Sequence, residues 1–255
     1  MKVVILAGGK GTRLAEETVT RPKPMVEIGG RPIIWHIMKH YAHFGCKEFV
    51  VALGYKGEII KRYFQDYFSM NGSLSISLSD GKIEVHDPVK EDWLVHLVDT
   101  GLHTSTGGRI KQLKPWLGEE TFMLTYGDGV CNIDLKKLAA YHKDNGKLVT
   151  VTAVRPPARF GSLNFTAGDL ITEFVEKPLS GEGWINGGYF VIESAALDYI
   201  QSDIPWESEP LRNIAAAGEL VAYRHDDFWQ CMDTYRELKI LEDYWHSGKA
   251  PWKIW

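Results

Sequence analysis

The sequence predicts a single α/β domain with a mixed, mostly parallel sheet that carries helices on both faces. Two observations support this prediction. Short apolar, β-branched runs alternate with amphipathic helical stretches from residue 3 to residue 154, and parallel strands are usually joined by such crossover helices. A glycine-rich turn also follows directly after the first of these runs, where open α/β sheets bind ligands. Together they favour a Rossmann-like sheet.

The first predicted elements follow from their apolar patterns. Residues 3–6 form a continuous apolar run, which is typical of a strand buried on both faces. Residues 32–44 are predicted as a helix, because their apolar side chains recur on one helical face. Pro32 suits the first turn of that helix, and Gly45 suits its end.

The later strands are short runs rich in β-branched and aromatic residues, bounded by turn signals such as Asp80-Gly81. They are predicted at 49–53, 73–78, 82–85, 94–98, 121–126, 148–154, 162–165, 170–175, 185–192 and 220–223. The later helices have apolar residues at helical spacing, and they are predicted at 56–67, 104–116, 134–145, 194–200, 207–218 and 234–247. No internal repeat or low-complexity linker interrupts this series, so residues 1–255 are expected to form one domain.

Composition excludes several classes of protein. The formal net charge is −4 and no basic stripe is visible, so nucleic acid is not an expected partner. No stretch approaches the ~20 apolar residues of a membrane span, and the apolar run at the amino terminus is too short for a signal peptide. The three cysteines include no C-x-x-C pair, so reduced thiols in a cytoplasmic protein are expected.

The turn after the first strand predicts a phosphate site. It reads Gly8-Gly-Lys-Gly-Thr-Arg13, and a second basic segment, Arg21-Pro-Lys-Pro-Met25, follows closely. The glycines leave main-chain N–H groups accessible to phosphate oxygens, because no Cβ blocks the approach, and the cations offset the charge of a polyphosphate. The turn is not a P-loop, since Lys10 is followed by Gly11 rather than Ser or Thr. It is not a dinucleotide fingerprint either, since Leu14 occupies the position of the last glycine.

The pattern Leu6-Ala-Gly-Gly-x-Gly-Thr-Arg13, followed by Lys23-Pro-Met, resembles the signature of the sugar-phosphate nucleotidylyltransferases. The resemblance implies a fold of the nucleotide-diphospho-sugar transferase type, with a nucleotide-binding part at about 1–130 and a sugar-phosphate-binding part at about 131–255. It implies that the nucleotide contacts Leu6, Ala7, Gly8, Gly9, Lys10, Gly11, Thr12, Arg13, Lys23, Thr104, Gly108, Arg109, Gly127 and Asp128.

Two aspartates are expected to hold a metal ion. Asp128 follows a predicted apolar strand and lies between two glycines, and Asp233 directly precedes the helix predicted at 234–247. Mg²⁺ takes one or two protein carboxylates together with phosphate oxygens and water, and the family resemblance implies a Mg²⁺ site at this pair. The alternative interpretations are structural, with Asp128 as a turn residue that caps the next segment and Asp233 as the N-cap of the helix.

Further segments resemble the sugar-phosphate site of the family. In Glu176-Lys-Pro, the resemblance implies that Glu176 accepts hydrogen bonds from sugar hydroxyls and that Lys177 contacts the sugar phosphate. Asn186 offers both a donor and an acceptor, and Gly187 lets the main chain lie against a sugar ring. Gly161 is expected to reach a sugar hydroxyl with its amide. The alternative for Glu176 and Lys177 is a solvated surface pair.

The implied reaction is attack of a hexose 1-phosphate oxygen on the α-phosphorus of a nucleoside triphosphate, with release of pyrophosphate. A phosphate monoester is mostly dianionic at neutral pH, so no general base is assigned. Positioning and charge neutralisation are expected to supply most of the acceleration. The expected catalytic residues are Arg13 on the leaving pyrophosphate, Lys23 on the α-phosphate, Lys177 on the attacking phosphate, and Asp128 with Asp233 on Mg²⁺.

Within the family, the whole chain resembles the branch that makes CDP-glucose from CTP and glucose 1-phosphate. Segments such as Val98-Asp-Thr-Gly101, Thr106-Gly-Gly-Arg109 and Phe228-Trp-Gln230 carry this resemblance. The base is expected near 104–109, where the donor-only guanidinium of Arg109 would satisfy O2 and N3 of cytosine, whereas uracil and thymine carry N3–H. The alternative is a solvated Arg109. Cys231 departs from the branch, in which proline is expected.

Other functions stay open at this stage. The nucleotide could instead be UTP or dTTP with another hexose 1-phosphate, or the chain could be a non-catalytic, nucleotide-sensing homologue. A Rossmann-type oxidoreductase is disfavoured by Leu14. The resemblance also implies a homohexamer and a place in the supply of sugars for surface lipopolysaccharide (O-antigen).

Overall fold

The computed structural model describes residues 1–87, 90–156, 162–165, 171–175 and 183–255. For residues 15–16, 162–165 and 171–175 it describes the main chain. The predicted sugar-phosphate residues Gly161, Glu176 and Lys177 lie outside the described residues. None of the helices in the described part of the chain is long and apolar enough to cross a membrane.

The strands are described first, in chain order. They are β1 (Val3–Ala7), β2 (Glu27–Ile28), β3 (Arg31–Pro32), β4 (Glu48–Leu53), β5 (Leu74–Ile76), β6 (Ile83–Val85), β7 (Leu94–Asp99), β8 (Phe122–Tyr126), β9 (Gly129–Cys131), β10 (Val149–Val154), β11 (Ser162–Phe165), β12 (Ile171–Val175), β13 (Ile185–Ile192), β14 (Leu220–His225) and β15 (Trp229–Cys231).

The α-helices are α1 (Ala15–Thr18), α2 (Ile33–His43), α3 (Gly57–Gln65), α4 (Tyr67–Met70), α5 (Thr106–Gln112), α6 (Lys114–Leu117), α7 (Leu135–Asn145), α8 (Glu209–Ala216) and α9 (Tyr235–His246). Short 3₁₀ helices lie at Thr12–Leu14, Lys23–Met25 and Ser194–Tyr199.

The central sheet has seven strands in the order β14-β10-β13-β8-β1-β4-β7. Strands β8, β1, β4 and β7 pair in parallel, as do β14 and β10, whereas β13 is antiparallel to both of its neighbours. The prediction of a mixed, mostly parallel α/β sheet is therefore confirmed. The sheet draws strands from both halves of the chain, because β13, β10 and β14 continue it beyond β8.

Strand β1 shows why the sheet carries helices on both faces. Successive side chains on a strand point to opposite faces, and Val3 and Ile5 pack in one core while Val4 and Leu6 pack in another. Helices α2, α7 and α9 contribute to the first core, and α5, α6 and α8 contribute to the second. The continuous apolar run at residues 3–6 therefore belongs to a strand that is buried on both faces, as predicted.

Strand register brings the functional loops to one edge of the sheet. In β1, Leu6 pairs with Tyr126 at the end of β8, and Ala7 pairs with Leu53 at the end of β4. The main-chain N–H of Gly127 donates to the carbonyl of Leu6 (3.0 Å). The loops that follow β1, β4 and β8 therefore leave the sheet side by side, at the edge where such sheets bind ligands.

Several predicted elements differ from the structure in their bounds or in their type of helix. The helix predicted at 104–116 is divided at Leu113, because Pro115 lies in the first turn of α6 and lacks the N–H that would continue the preceding helix. The helix predicted at 56–67 likewise ends at Gln65, and α4 follows. The segment predicted as a helix at 194–200 is a 3₁₀ helix. The short ribbons β2–β3 and β9–β15 were not predicted.

Helix α2 buries a histidine against the carboxyl-terminal segment. The ring of His36 is inaccessible to solvent, and its Nε2 lies 2.8 Å from the carbonyl of Ile28. Because a carbonyl only accepts, Nε2 donates, and Nδ1 then accepts from the indole N–H of Trp252 (3.4 Å). Both bonds use the neutral ring, and burial lowers the pKa of His36 to about 4. His40 on the same helix is also buried, and its burial lowers its pKa to about 4.

We expect these buried histidines to make stability depend on pH below pH 7. Between the folded pKa near 4 and the unfolded pKa near 6.5, the unfolded state binds a proton that the folded state excludes. Stability therefore falls as pH falls, by up to about 1.4 kcal/mol per pH unit for each histidine. Urea unfolding of His36→Gln at pH 5 and pH 7 should show a smaller pH dependence than the parent chain. His246→Gln is the matched control, because that side chain is 72% exposed; an unchanged dependence in His36→Gln would contradict the prediction.

Candidate active site

A cleft of about 1050 Å³ opens at this edge of the sheet. Its lining includes residues from every part of the predicted nucleotide site and from the described part of the predicted sugar site. The predicted residues that line it are Leu6, Gly9, Gly11, Arg13, Lys23, Thr104, Arg109, Gly127, Asp128, Asn186, Gly187 and Asp233. Predicted residues that do not line it are Ala7, Gly8, Lys10, Thr12 and Gly108.

The glycine-rich turn is held in a fixed conformation. The carbonyl of Gly8 accepts from the N–H of Tyr55 (3.1 Å). Gly11 has a φ of +64°, and a Cβ there would lie 2.8 Å from Cγ2 of Thr18, so glycine is required on both conformational and steric grounds. The turn then enters the 3₁₀ helix at 12–14, which carries Arg13 to the mouth of the cleft.

Two carboxylates and two cations meet at the centre of the cleft. The ammonium of Lys23 lies 2.9 Å from Oδ2 of Asp128 and 2.6 Å from Oδ1 of Asp233. The guanidinium of Arg13 lies 2.8 Å from the other oxygen of Asp233. These four side chains come from three distant parts of the sequence, and the residues expected from the motifs to act on phosphate and metal therefore lie together.

Lys23 is the buried member of this cluster, because the 3₁₀ helix at 23–25 directs its stem into the protein and leaves 10% of its side chain exposed. Burial alone would lower the pKa of Lys23, but the carboxylates of Asp128 and Asp233 outweigh burial and raise the pKa above its ordinary value. The lysine is therefore charged at neutral pH and is available to an anion.

An unpredicted ribbon brings the two aspartates together. Strand β9 pairs antiparallel with β15, and the main-chain N–H of Met232 donates to the carbonyl of Asp128 (2.8 Å). Asp128 directly precedes β9, and Asp233 lies two residues after the end of β15. The segments at 129–131 and 229–231 give little sequence signal for this ribbon, because three residues are too few for a strand to be recognised from periodicity.

The start of α9 shows that the interpretation of Asp233 as a helix N-cap was wrong. The N-cap is Thr234, whose hydroxyl accepts from the N–H of Glu237. The carboxylate of Glu237 reaches back and accepts from the N–H groups of Thr234 (2.9 Å) and Asp233 (2.8 Å). This capping box satisfies the helix terminus without Asp233, so the carboxylate of Asp233 is directed to the cations of the cleft.

Cys231, where proline is expected from the family resemblance, is the last residue of β15. Hydrogen-bonded and non-hydrogen-bonded pairs alternate along an antiparallel ladder. Because Met232 donates to Asp128, the N–H of Cys231 points out of the ladder. Proline at this position would therefore keep the ribbon, and cysteine there keeps the same pairing with Gly129. Greater mobility of the metal loop, expected from this departure, stays a prediction.

The donor set at the centre of the cleft fits Mg²⁺. Both carboxylates bind the same ammonium group, so their oxygens converge on one point. Oxygen ligands are those that Mg²⁺ prefers, and one or two carboxylates are its usual protein share. Phosphate oxygens and water usually complete the coordination shell of Mg²⁺. No cluster of three or more histidine, cysteine or acidic side chains with metal-binding geometry occurs among the described residues.

Asn186 and Tyr126 form a further part of the cleft wall. The amide oxygen of Asn186 accepts from the N–H of Gly188 (2.8 Å), and its nitrogen donates to the hydroxyl of Tyr126 (3.2 Å). The same hydroxyl donates to Glu207 (2.5 Å). Gly188 has a φ of +79°, and a Cβ there would lie 2.5 Å from the Tyr126 ring. Tyr126 was not predicted as a site residue.

Arg109 is buried, with 4% of the residue exposed, so the alternative of a solvated helix residue was wrong. Its guanidinium donates to the main-chain carbonyls of Leu53 (2.9 Å), Gly101 (2.7 Å) and Gly8 (3.2 Å). Gly108 contributes to packing: a Cβ there would lie 2.0 Å from Oδ1 of Asp203, an oxygen that accepts from the N–H of Ser105 (2.8 Å). Gly108 therefore lets the 203–206 segment pack against α5, and it does not line the cleft.

The fold and the site together define a phosphate-handling transferase of the nucleotidyl class. The chain belongs to the nucleotidyl transferase family, because the family profile matches residues 2–245. It is similar to the glucose-1-phosphate cytidylyltransferase of Salmonella typhimurium, with 49% identity over 257 aligned residues that cover 100% of both chains. It is 46% identical, again with 100% of both chains covered, to a Bacillus subtilis protein named "Probable glucose-1-phosphate cytidylyltransferase".

The fold is also that of a solved protein with lower identity. The crystal structure of HddC from Yersinia pseudotuberculosis has a TM-score of 0.67 and 24% sequence identity, and the match covers 96% of this chain and 99% of that one.

Proposed function

We propose that this protein transfers the cytidylyl group of CTP to glucose 1-phosphate, which gives CDP-glucose and pyrophosphate. The central observation is the group of two carboxylates and two cations that the sheet edge brings beside the glycine-rich turn. Full-length identity of 49% to a glucose-1-phosphate cytidylyltransferase supports the choice of substrates. The reaction joins a phosphate dianion to a polyanion, so its main barrier is electrostatic.

The cations of the cleft lower this barrier. We propose that Arg13 holds the leaving pyrophosphate and that Lys23 holds the α-phosphate. Both cations are bound to carboxylates of the cleft, so positive charge is held at its centre. Positive charge held in a cleft stabilises the negative charge that develops in the transition state. Lys177 remains the proposed partner of the attacking phosphate, from the resemblance alone.

Mg²⁺ is the proposed cofactor, and Asp128 and Asp233 would hold it. When bound, Mg²⁺ neutralises phosphate charge and orients the triphosphate. No general base is needed, because the second pKa of a phosphate monoester is about 6. We further propose that residues 1–130 bind the nucleotide and residues 131–255 bind the sugar phosphate. The cleft is consistent with this division, since Gly9 and Gly11 of the first part and Asn186 and Gly187 of the second part all line it.

A panel of nucleotides tests the proposed function. Purified protein with glucose 1-phosphate and Mg²⁺ should release pyrophosphate with CTP at a kcat/KM at least about tenfold above that with UTP, dTTP, ATP or GTP, because a mispaired buried donor is costly. Higher activity with UTP or dTTP would move the chain to another branch of the family. Tight CTP binding in calorimetry without turnover would instead support a nucleotide-sensing homologue.

The homohexamer and the cytoplasmic location implied by the resemblance stay predictions. Light scattering of the purified chain would test the first, since a hexamer of 28.9 kDa subunits is readily distinguished from a monomer or dimer.

A further inference from the structure

The carboxylate of Glu207 accepts hydrogen bonds from side chains of two different loops. Its Oε1 accepts from the hydroxyl of Tyr126 (2.5 Å), and its Oε2 accepts from the hydroxyl of Thr106 (2.7 Å). The hydroxyl of Thr106 also accepts from the main-chain N–H of Trp206 (2.8 Å), so two bonds join residues 206–207 to the start of α5. Glu207 therefore links α5 to the end of β8, although it does not itself line the cleft.

The chemistry of these groups sets the direction of each hydrogen bond. A carboxylate only accepts, so the hydroxyl of Tyr126 donates its one proton to Glu207. Burial and the neighbouring charge of Glu207 raise the pKa of Tyr126 well above its ordinary value, so the hydroxyl keeps that proton at neutral pH. The Tyr126 oxygen can then only accept from a further partner, and it accepts from the amide nitrogen of Asn186 (3.2 Å).

The orientation of the Asn186 amide is consequently fixed at both ends. Its nitrogen donates to Tyr126, and its oxygen accepts from the N–H of Gly188 (2.8 Å). A reversed amide would place two acceptors together at Tyr126 and two donors together at Gly188, and both bonds would be lost. An amide nitrogen carries a second N–H, and Asn186 lines the cleft. The side chain can therefore offer a donor of fixed position to a ligand.

We propose that Glu207 and Tyr126 are positioning residues that orient the Asn186 amide, so that its second N–H donates to one hydroxyl of the hexose. This proposal rests on the proposed function, in which Asn186 contacts the sugar. Glu207 and Tyr126 act through Asn186, so their replacement should weaken binding of the hexose part of a ligand. A role in the fold alone would instead weaken binding of every ligand of the cleft.

The first test is Tyr126→Phe, which removes the hydroxyl and keeps the ring. Calorimetry should show about fivefold weaker binding of CDP-glucose and less than about twofold weaker binding of CDP, because the two ligands differ by the hexose. The KM for glucose 1-phosphate should rise by a similar factor while the KM for CTP stays unchanged. Tyr141→Phe is the matched control, since that hydroxyl donates to the carbonyl of Ala222 (3.1 Å) outside the cleft, and it should change neither. Equal weakening of CDP and CDP-glucose by Tyr126→Phe would overturn the proposal.

Deoxy analogues of glucose 1-phosphate identify the hydroxyl that Asn186 binds. The four analogues lack the hydroxyl at C2, C3, C4 or C6 in turn. Tyr126→Phe should lower kcat/KM for three of them as it does for glucose 1-phosphate, and it should leave kcat/KM of the remaining analogue unchanged, because that analogue lacks the partner of Asn186. Equal losses with all four analogues would contradict the proposed role.

Glu207→Gln is the second variant, and it keeps the test decisive if Tyr126→Phe fails to fold. The amide of glutamine can donate as well as accept, so the direction of the bond to Tyr126 is no longer fixed. We expect the same selective loss for CDP-glucose at about twofold to threefold, and no further loss when the substitution is combined with Tyr126→Phe. Absence of turnover with every nucleotide would reject the proposed function, and the CDP-glucose and CDP titrations would still test the two positioning residues. Absence of CDP-glucose binding by the parent chain would reject both proposals.

Discussion

Replacement of Asp128 by Asn should lower kcat for CDP-glucose formation by about a thousandfold or more. The substitution keeps the size of the side chain but removes one of the two carboxylates that converge on Lys23. The cleft would then lose a ligand for Mg²⁺ and a negative charge that positions the lysine. Loss of a preorganised charge or metal ligand typically costs several kcal/mol of transition-state stabilisation, and 1.36 kcal/mol corresponds to each tenfold change in rate.

We expect Asp128→Asn to lower kcat without lowering the stability of the fold. Asp128 is held in the ribbon through its main-chain carbonyl, which accepts from Met232 (2.8 Å), and 31% of its side chain is exposed. The thermal unfolding midpoint of Asp128→Asn should therefore stay close to that of the parent. Asp144→Asn, on the exposed end of α7, is the control with the same chemical change outside the cleft. Pyrophosphate release by Asp128→Asn within threefold of the parent would remove Asp128 from the mechanism.

The fold was predictable because the hydrophobic pattern that indicates it extends over many residues, so an error at any one residue has little effect. The alternation of apolar strands and amphipathic helices extends over many residues, and β11 and β13 have the predicted bounds. The unpredicted elements are those that depend on tertiary contacts. Each strand of the β9–β15 ribbon has three residues, and neither strand would persist without the other. That ribbon brings Asp128 close to Asp233, so the element that assembles the site carries a weak sequence signal.

The site residues were predictable as a set, but their roles were less so. Motifs identify Arg13 and Lys23, because Gly-Gly-x-Gly-Thr-Arg followed by Lys-Pro-Met is a specific combination. The two aspartates were identified from the family resemblance of the segments around them. The error at Asp233 was avoidable, since Thr234-x-x-Glu237 is a capping-box sequence that assigns the N-cap to threonine.

The surroundings of Arg109 were not accessible from the sequence. Its acceptors are main-chain carbonyls on the loops after β1, β4 and β7. Every residue carries a main-chain carbonyl, so no sequence motif reveals which carbonyls lie close together in the folded chain. The glycines at 8 and 54 are consistent with close packing of some group, but only the structure shows that the group is a guanidinium.

Replacement of Lys23 by Met should have two opposite effects, which together identify its role. Turnover with CTP should fall by about 10²–10³-fold, because the α-phosphate loses its buried cation. Metal affinity in the absence of nucleotide should rise, because Lys23 binds both carboxylates and repels a dication. At an effective dielectric constant of 20, two unit charges 4 Å apart interact by about 4 kcal/mol.

Titration with Mn²⁺, followed by electron paramagnetic resonance, measures the second effect without any turnover. We expect Lys23→Met to bind Mn²⁺ about tenfold or more tightly than the parent. The repulsion energy that is removed with the lysine charge exceeds the 1.4 kcal/mol that corresponds to a tenfold change in affinity. Lys39→Met is the matched control, since Lys39 pairs with Glu91 (3.1 Å) outside the cleft and is 23% exposed. Unchanged Mn²⁺ affinity in Lys23→Met would show that the lysine does not compete for the carboxylates. Increased affinity would mean that, in the parent chain, metal binding requires Lys23 to transfer from the aspartates to an incoming phosphate, which couples metal entry to nucleotide binding.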